Sequence, residues 1–259
     1  MPDGEAPVVP PPTVTFVGHA TMLVEVAGLR ILTDPVLTDR VTFIRRVVAP
    51  VPAGTSLDLD LVLLSHLHQD HLHVPSLRGI SPGTPVLVPK GGAYAARRGR
   101  FDDIVEVVAG DRIPIGDVMI TVVPALHSGR RWPGGRQAQP VGYVIEAGGW
   151  SCYFAGDTDL FDDLADLRGT VDLALLPVWG WGPTAGHGHL DPPRAAAAID
   201  IIRPRSVVPI HWGTLWPIGL SRYRRDRLVA PPHELVESLG ALDVVTDLRL
   251  LAPGESTVA

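Results

Sequence analysis

Leu59-Asp60-Leu61-Val62-Leu63-Leu64-Ser65-His66-Leu67-His68-Gln69-Asp70-His71 joins an apolar run to three imidazoles and a carboxylate within six positions. Leu61 to Leu64 is a short, continuous apolar segment of the kind that forms a strand buried on both faces. In open α/β architectures the residues just past the carboxyl ends of such strands line the ligand crevice, so His66 and His68 emerge where chemistry is usually placed. Alternate positions let His66 and His68 face one cation, whereas Asp70 and His71 begin a new turn and can face a neighbouring one. Two divalent ions are therefore expected. Imidazole and carboxylate suit zinc, with manganese or iron as alternatives, and the absence of Cys argues against a closed structural zinc site. Four potential ligands in six residues also speak against a merely solvated polar loop.

Three further apolar, strand-like runs each deliver a candidate ligand. Val118 to Pro124 precedes His127, Trp150 to Gly156 precedes Asp157, and Ser206 to Ile210 precedes His211. Singly, His127 or His211 reads as an ordinary hydrogen-bonded histidine, and Asp157 after Gly156 as a turn residue. Their joint appearance in order reverses that reading.

The cluster and its partners resemble the signature of the metallo-β-lactamase-fold hydrolases. Closer similarity lies with the ribonuclease Z-like branch, which includes the N-acyl-phosphatidylethanolamine phospholipase D type and the ascorbate-6-phosphate lactonase type. Four segments carry it: Gly18-His19-Ala20-Thr21, Leu32-Thr33-Asp34-Pro35-Val36, Gly188-His189-Leu190-Asp191-Pro192 and Pro209-Ile210-His211-Trp212-Gly213-Thr214. With the metal motifs, the resemblance runs from about residue 13 to about residue 216. It implies an α/β fold, the four-layer αβ/βα sandwich. It also implies that His66, His68 and His127 hold one metal, that Asp70, His71 and His211 hold the second, and that Asp157 bridges them.

Two cations roughly 3.5–4 Å apart lower the pKa of a shared water toward ~7, which makes metal-bound hydroxide the expected nucleophile. Asp157 would position it and accept its proton, and Asp70 and Asp157 are counted as catalytic. His189, within the Gly188 to Pro192 match, is expected near the substrate or leaving group rather than as a plain helix-start residue. Asp34 reads equally as a turn former before Pro35 and as an outer partner of a metal-bound histidine. His19 is similar, either a turn histidine or a participant. His187 and His73 carry no assigned role.

A glycine-rich loop, Ser128 to Arg136, follows His127 and carries Arg130, Arg131 and Arg136. These guanidinium groups either clamp a phosphate or carboxylate or are solvated charge. Trp179 and Trp181 flank Gly180 and either wall an apolar pocket or pack in the core. A small, anionic substrate follows, with phosphodiester cleavage placed ahead of opening a phosphorylated or acidic sugar lactone. β-Lactam hydrolysis is disfavoured, because Asp157 stands where the best-known zinc lactamases use Cys and Cys152 lies within the strand. An RNA-processing nuclease and a non-catalytic metal sensor are the readings from other classes.

Composition bounds these expectations. A chain of 259 residues fits one catalytic domain over residues 13–259, preceded by a flexible segment over 1–12. The net charge of −6 gives no basic footprint for duplex nucleic acid. Cys152 is alone, so no intramolecular disulfide forms. Met1 to Pro12 lacks the pattern of a signal peptide, and no apolar run approaches the ~20 residues of a membrane span. A cytoplasmic protein is expected, and a homo-oligomer is compatible with all of this. Thr13 to Val17, Thr21 to Val26 and Leu29 to Thr33 read as an antiparallel meander, and Asp39 to Ser56 as a long loop near the site. Gly91 to Arg98, Asp159 to Leu167, Arg194 to Ile202 and Pro232 to Leu239 read as helices.

Overall fold

Apolar runs without polar interruption become parallel, doubly covered strands, and alternating runs become strands with one face to the core. The computed structural model describes residues 11–131, 134–180, 188–220 and 226–259. The chain begins with the meander β1 (Thr13–Gly18), β2 (Thr21–Val26) and β3 (Leu29–Thr33). A small hairpin, β4 (Arg40–Val41) and β5 (Ile44–Arg46), precedes the fully buried β6 (Leu61–Leu63). Short helices α1 (Val74–Leu77) and α2 (Ala93–Ala96) flank β7 (Val86–Pro89), and β8 (Ile104–Val107) follows. The second half runs β9 (Arg112–Ile115), β10 (Val118–Pro124), β11 (Val141–Ala147), β12 (Trp150–Phe154) and β13 (Leu173–Pro177). Helix α3 (Pro192–Ile202), β14 (Ser206–Ile210), β15 (Leu215–Pro217), α4 (Asp226–Leu239), β16 (Asp247–Leu248) and β17 (Ser256–Val258) complete it.

Two seven-stranded sheets result, in the orders β17-β1-β2-β3-β6-β7-β8 and β16-β14-β13-β12-β11-β10-β9. Strand periodicity assigns their faces. Leu61 and Leu63 of β6, with Leu173 and Leu175 of β13, enter the core between the sheets alongside Phe16, Met22, Tyr143 and Phe154. Each such fully buried large side chain contributes about 1.5–3 kcal/mol. Val62 and Leu64 point outward onto Leu77, Ala95 and Ala96 at α1 and α2. On the other side Ala174 and Leu176 meet Ala195, Ile199 and Ile202 of α3 and Leu235 of α4. Helix, sheet, sheet and helix therefore stack in the four-layer αβ/βα sandwich that the resemblance implies.

Strand direction then places the chemistry. β1, β3 and β6 run one way in the first sheet, because β1 and β3 are each antiparallel to β2 and β6 is parallel to β3. β10, β12, β13 and β14 likewise share one direction in the second. The turn that reverses β11 into β12 is Gly148-Gly149, both at positive φ (58° and 82°), the left-handed pair that a two-residue hairpin turn favours. Every candidate ligand, those of the β6 loop included, follows the carboxyl end of one of these codirectional strands.

Several sequence expectations change in detail. Asp39 to Ser56 contains the β4–β5 hairpin, which pairs with β15 in a third, three-stranded sheet. Strands of two and three residues carry no periodicity, and their partner lies far away in the chain. Asp162–Leu167 is a 3-10 turn, and Gly91 to Arg98 shortens to α2 plus a 3-10 turn over Arg97–Gly99. α4 begins at Asp226 and runs through Pro231 and Pro232. Asp191 caps α3 as expected, its Oδ1 accepting the Arg194 N–H at 3.0 Å, with Pro192 and Pro193 in the first turn. Among the described residues no helix is long and apolar enough to cross a membrane. Residues 1–10 lie outside the described residues.

Candidate metal centre

Asp34, directly after β3, organises the start of the β6 loop. Its Oδ1 accepts the Ser65 N–H at 2.7 Å, and its Oδ2 accepts the Ser65 hydroxyl at 2.5 Å and faces His71 Nδ1 at 2.7 Å. Ser65 Oγ lies 3.0 Å from His66 Nδ1. Two more imidazoles are fixed by backbone carbonyls: His127 Nδ1 by Gly188 at 2.5 Å and His211 Nδ1 by Trp179 at 2.5 Å. A carbonyl oxygen only accepts, so Nδ1 of His127 and of His211 carries the proton and Nε2 carries the lone pair. His127 Nε2 lies 3.1 Å from His68 Nδ1, close to the spacing of two ligand atoms that share one cation at about 2.0–2.1 Å.

Among the described residues two groups of four donors emerge, each with its atoms within 4.8 Å of one another: His66, His68, His127 and Asp157, and His19, Asp70, His71 and His211, beside a trio of Asp34, His66 and His71. Asp157 Oδ2 stands between them, 3.2 Å from His71 Nε2, 3.4 Å from His211 Nε2, and 3.9 Å from both His66 Nε2 and His127 Nε2. The seven ligands expected from sequence are thus brought together, and His19 joins them from the β1–β2 turn. His19 Nε2 approaches Asp70 Oδ2 at 3.0 Å, and the His19 carbonyl accepts the His211 N–H at 2.7 Å. Both residues are left-handed, with φ of 59° and 64°.

A divalent cation fits these donors. His66 Nε2 and Asp157 Oδ1 are buried without a hydrogen-bond partner, an arrangement that is costly unless something coordinates them. Burial holds His66, His68, His127 and His211 below the usual imidazole range, His127 at about 4, which is the neutral, ligating form. Burial alone would raise Asp157 and Asp70, yet surrounding imidazoles hold both carboxylates well below their usual range: chiefly His211 and His71 for Asp157, and His19 and His71 for Asp70. His71 is the exception. Burial lowers it, but Asp157 and Asp34 on its two sides raise it well above the ordinary value.

His189 sits at the mouth of the centre, 20% exposed, with Nε2 3.5 Å from Asp157 Oδ2 and its ring 4.5 Å from that of His127. Burial lowers its pKa, but contact with Asp157 raises it above the ordinary value. A cleft of about 370 Å³ opens beside His68, Gln69 and Asp70, walled by Val41, Phe43, Ile44 and Pro217 and bounded by Arg131. A larger one, about 610 Å³, lies at the opposite end of the second sheet by Trp150 and Arg205, remote from every ligand.

The expected substrate residues disperse. Arg131 borders the cleft, its Nη1 donating to the Leu67 and Leu72 carbonyls at 2.8 and 3.0 Å, so it pins the ligand loop. Arg130 is exposed and turns toward Gly135 of its own loop, and Arg136 stacks over Tyr94 at 4.9 Å. Trp179 is 8% exposed and stacks on Trp216 at 6.0 Å, serving the centre through its carbonyl. Trp181 and His187 lie outside the described residues. Sequence reasoning missed Ser65, Thr214 (whose Oγ1 accepts the His19 N–H at 2.8 Å) and the hairpin wall. Only Ser65 had a signal, its place between a buried strand and the first ligand.

A family model described as the β-lactamase superfamily domain matches residues 29–212. A UPF0173 metal-dependent hydrolase of Thermococcus kodakarensis is 32% identical over 228 residues, covering 86% of this chain and 94% of its own. Its counterpart in Methanopyrus kandleri is 32% identical over 250 residues, covering 94% and 98%. Among solved structures, Igni18, a metallo hydrolase of Ignicoccus hospitalis, shares the fold at a TM-score of 0.71 and 24% identity, over 95% of this chain and 97% of its own. An isothiocyanate hydrolase from Delia radicum gut bacteria shares it at 0.72 and 18% identity, over 95% and 98%.

Proposed function

The chain belongs to the β-lactamase superfamily domain family and is a metal-dependent hydrolase; from that premise we propose that it works with two divalent cations, zinc first, to cleave an ester-like bond in a small substrate. His66, His68 and His127 would hold the first cation, Asp70, His71 and His211 the second, and Asp157 would serve both. The observation that carries this reading is the place of Asp157 Oδ2, within 3.9 Å of imidazole Nε2 atoms from both groups. Bound cations of this kind activate water and polarise a carbonyl or phosphoryl oxygen.

The chain's own residues do the rest. Asp34 orients His71, the Gly188 and Trp179 carbonyls fix the tautomers of His127 and His211, and His19 steadies Asp70. Asp157 holds the attacking water by hydrogen bonding and takes up its proton. His189, at the mouth and biased toward its protonated form by Asp157, delivers a proton to the leaving-group oxygen. Among acyl and phosphoryl substrates we place phosphodiesters ahead of lactones, with Arg131, at the edge of the cleft, as the cation of the loop that favours a phosphoryl group.

Metal analysis of protein loaded with zinc, paired with rates on phosphodiesters and lactones, tests this reading. Two equivalents per chain and faster phosphodiester turnover are expected. One equivalent at saturation removes the dinuclear reading, and turnover of lactones alone reverses the substrate order.

A further inference from the structure

The β4–β5 hairpin puts a phenyl ring where water would have to cover it. Val41 pairs with Ile44, so Thr42 and Phe43 form the turn, with Thr42 at φ 47°. Phe43 at this tip is 72% exposed. Its backbone is nonetheless held: the Phe43 carbonyl accepts the Ile218 N–H at 2.8 Å, and β5 pairs with β15. At the base, Arg46 Nη2 donates to the Val17 carbonyl at 2.7 Å, and Val36, Val41, Ile44 and Leu215 form a small core of their own. A hairpin anchored in this way presents its apolar tip by construction. Ile218, which makes the backbone contact to Phe43, is itself 44% exposed.

Phe43, Val41, Ile44 and Pro217 are also the wall of the 370 Å³ cleft whose floor is His68 and Asp70. That volume is within the range of a small-ligand pocket, and an apolar wall beside a few convergent polar groups is how such pockets bind. The wall itself, Val41, Phe43, Ile44 and Pro217, carries no charged side chain, so nothing along it pairs with an anionic group; Asp70 lies on the floor and Arg131 at the edge.

The geometry points to a substrate that carries an uncharged alkyl or aryl substituent next to its scissile bond, seated on the Phe43 wall. This rests on the hydrolase reading for the bond that is cut, and it holds for either the phosphoryl or the acyl case. Water leaves both the substituent and the Phe43 ring when they meet, so affinity grows with apolar area until the wall is covered.

Two series with a constant 4-nitrophenol leaving group, alkyl phosphodiesters and alkanoate esters from one to six carbons, measure this on the zinc-loaded full chain. In at least one series kcat/KM should rise about fourfold per CH₂, the equivalent of about 0.8 kcal/mol. Phe43→Ser should flatten that slope, whereas Leu57→Ser, at an exposed apolar residue far from the cleft, should leave it intact. Binding of the neutral fluorophore N-phenyl-1-naphthylamine, displaced by hexanol and weakened at least fivefold by Phe43→Ser, gives a readout independent of turnover. A flat slope with measurable hydrolysis overturns the inference and leaves the hydrolase reading standing. Absence of hydrolysis in both series counts against the ester-like reading, and the fluorophore then decides the wall alone. Sedimentation showing a dimer that Phe43→Ser dissociates would assign this face to a second copy of the chain and overturn the inference.

Discussion

His19 shows how a single side chain joins a centre from a distant part of the chain. It lies 51 positions from Asp70, yet their side chains meet at 3.0 Å. Replacing it with Ala should weaken the second cation by about 10–100-fold while the first stays bound, read by calorimetric titration and metal content. His19→Gln keeps a donor and should restore most of the affinity; unchanged affinity in His19→Ala would remove the positioning role. His73 makes a different prediction. Burial first, and Arg131 second, push it down to about 4, with Asp70 opposing, and Ser76 Oγ lies 2.8 Å from its Nδ1. Its folded pKa is below the unfolded ~6.5, so its contribution to stability is full above pH ~6.5 and is lost as the pH falls toward 4. Denaturant titrations between pH 7 and 4.5 should show His73→Asn losing less stability than the parent, by up to about 1.4 kcal/mol per pH unit. The six-residue run was legible in the sequence because its ligands are dense and follow a strand. The role of His19 was left open because no local pattern links a turn residue to a carboxylate on another loop.

Elements position these residues, and one close approach between elements sets the tolerance. Gly156, between β12 and Asp157, has φ 59°, and a Cβ there would fall 2.4 Å from Ser65 Cβ and 2.6 Å from its Oγ. Ser65 cannot retreat easily, since Asp34 holds its N–H and hydroxyl and its carbonyl accepts the Val141 N–H at 3.0 Å. Gly156→Ala should therefore cost about 2–4 kcal/mol and displace His66 and Asp157 together. Thermal unfolding and zinc titration of the same variant check both effects; a wild-type melting temperature would show that the loops can part. β10 and β14 were legible to the residue because their apolar runs end at Pro124 and Ile210. The hairpin was read as loop because its strands are stabilised by β15, which local sequence does not encode.

At the scale of the molecule, the centre is assembled from both sheets and contained in neither. Tyr143 of the second sheet donates to the Leu64 carbonyl at the end of β6, at 2.8 Å, and His211 donates its N–H to His19 across the same seam. Chelation of the cations should therefore lower stability globally, by about 4 kcal/mol for each cation held at a thousandfold excess over its Kd, a fall of roughly 10 °C in Tm apiece. Calorimetry with and without chelator measures it, and a transition that does not move would mean that the halves hold together without the ions. The four-layer architecture was legible through the family resemblance, with which the strand and helix runs of both halves agree, whereas the seam between the sheets was not, since its hydrogen bonds join distant segments through backbone groups. The His19–His211 link has a consequence for adaptation. Because ligands on opposite sheets are tied backbone to backbone, substitutions at the Phe16–Trp212 stack, 6.0 Å between rings, alter the ligand cage without touching a ligand. Directed evolution for a new metal preference should accumulate changes there, in the packing, before it changes a single histidine.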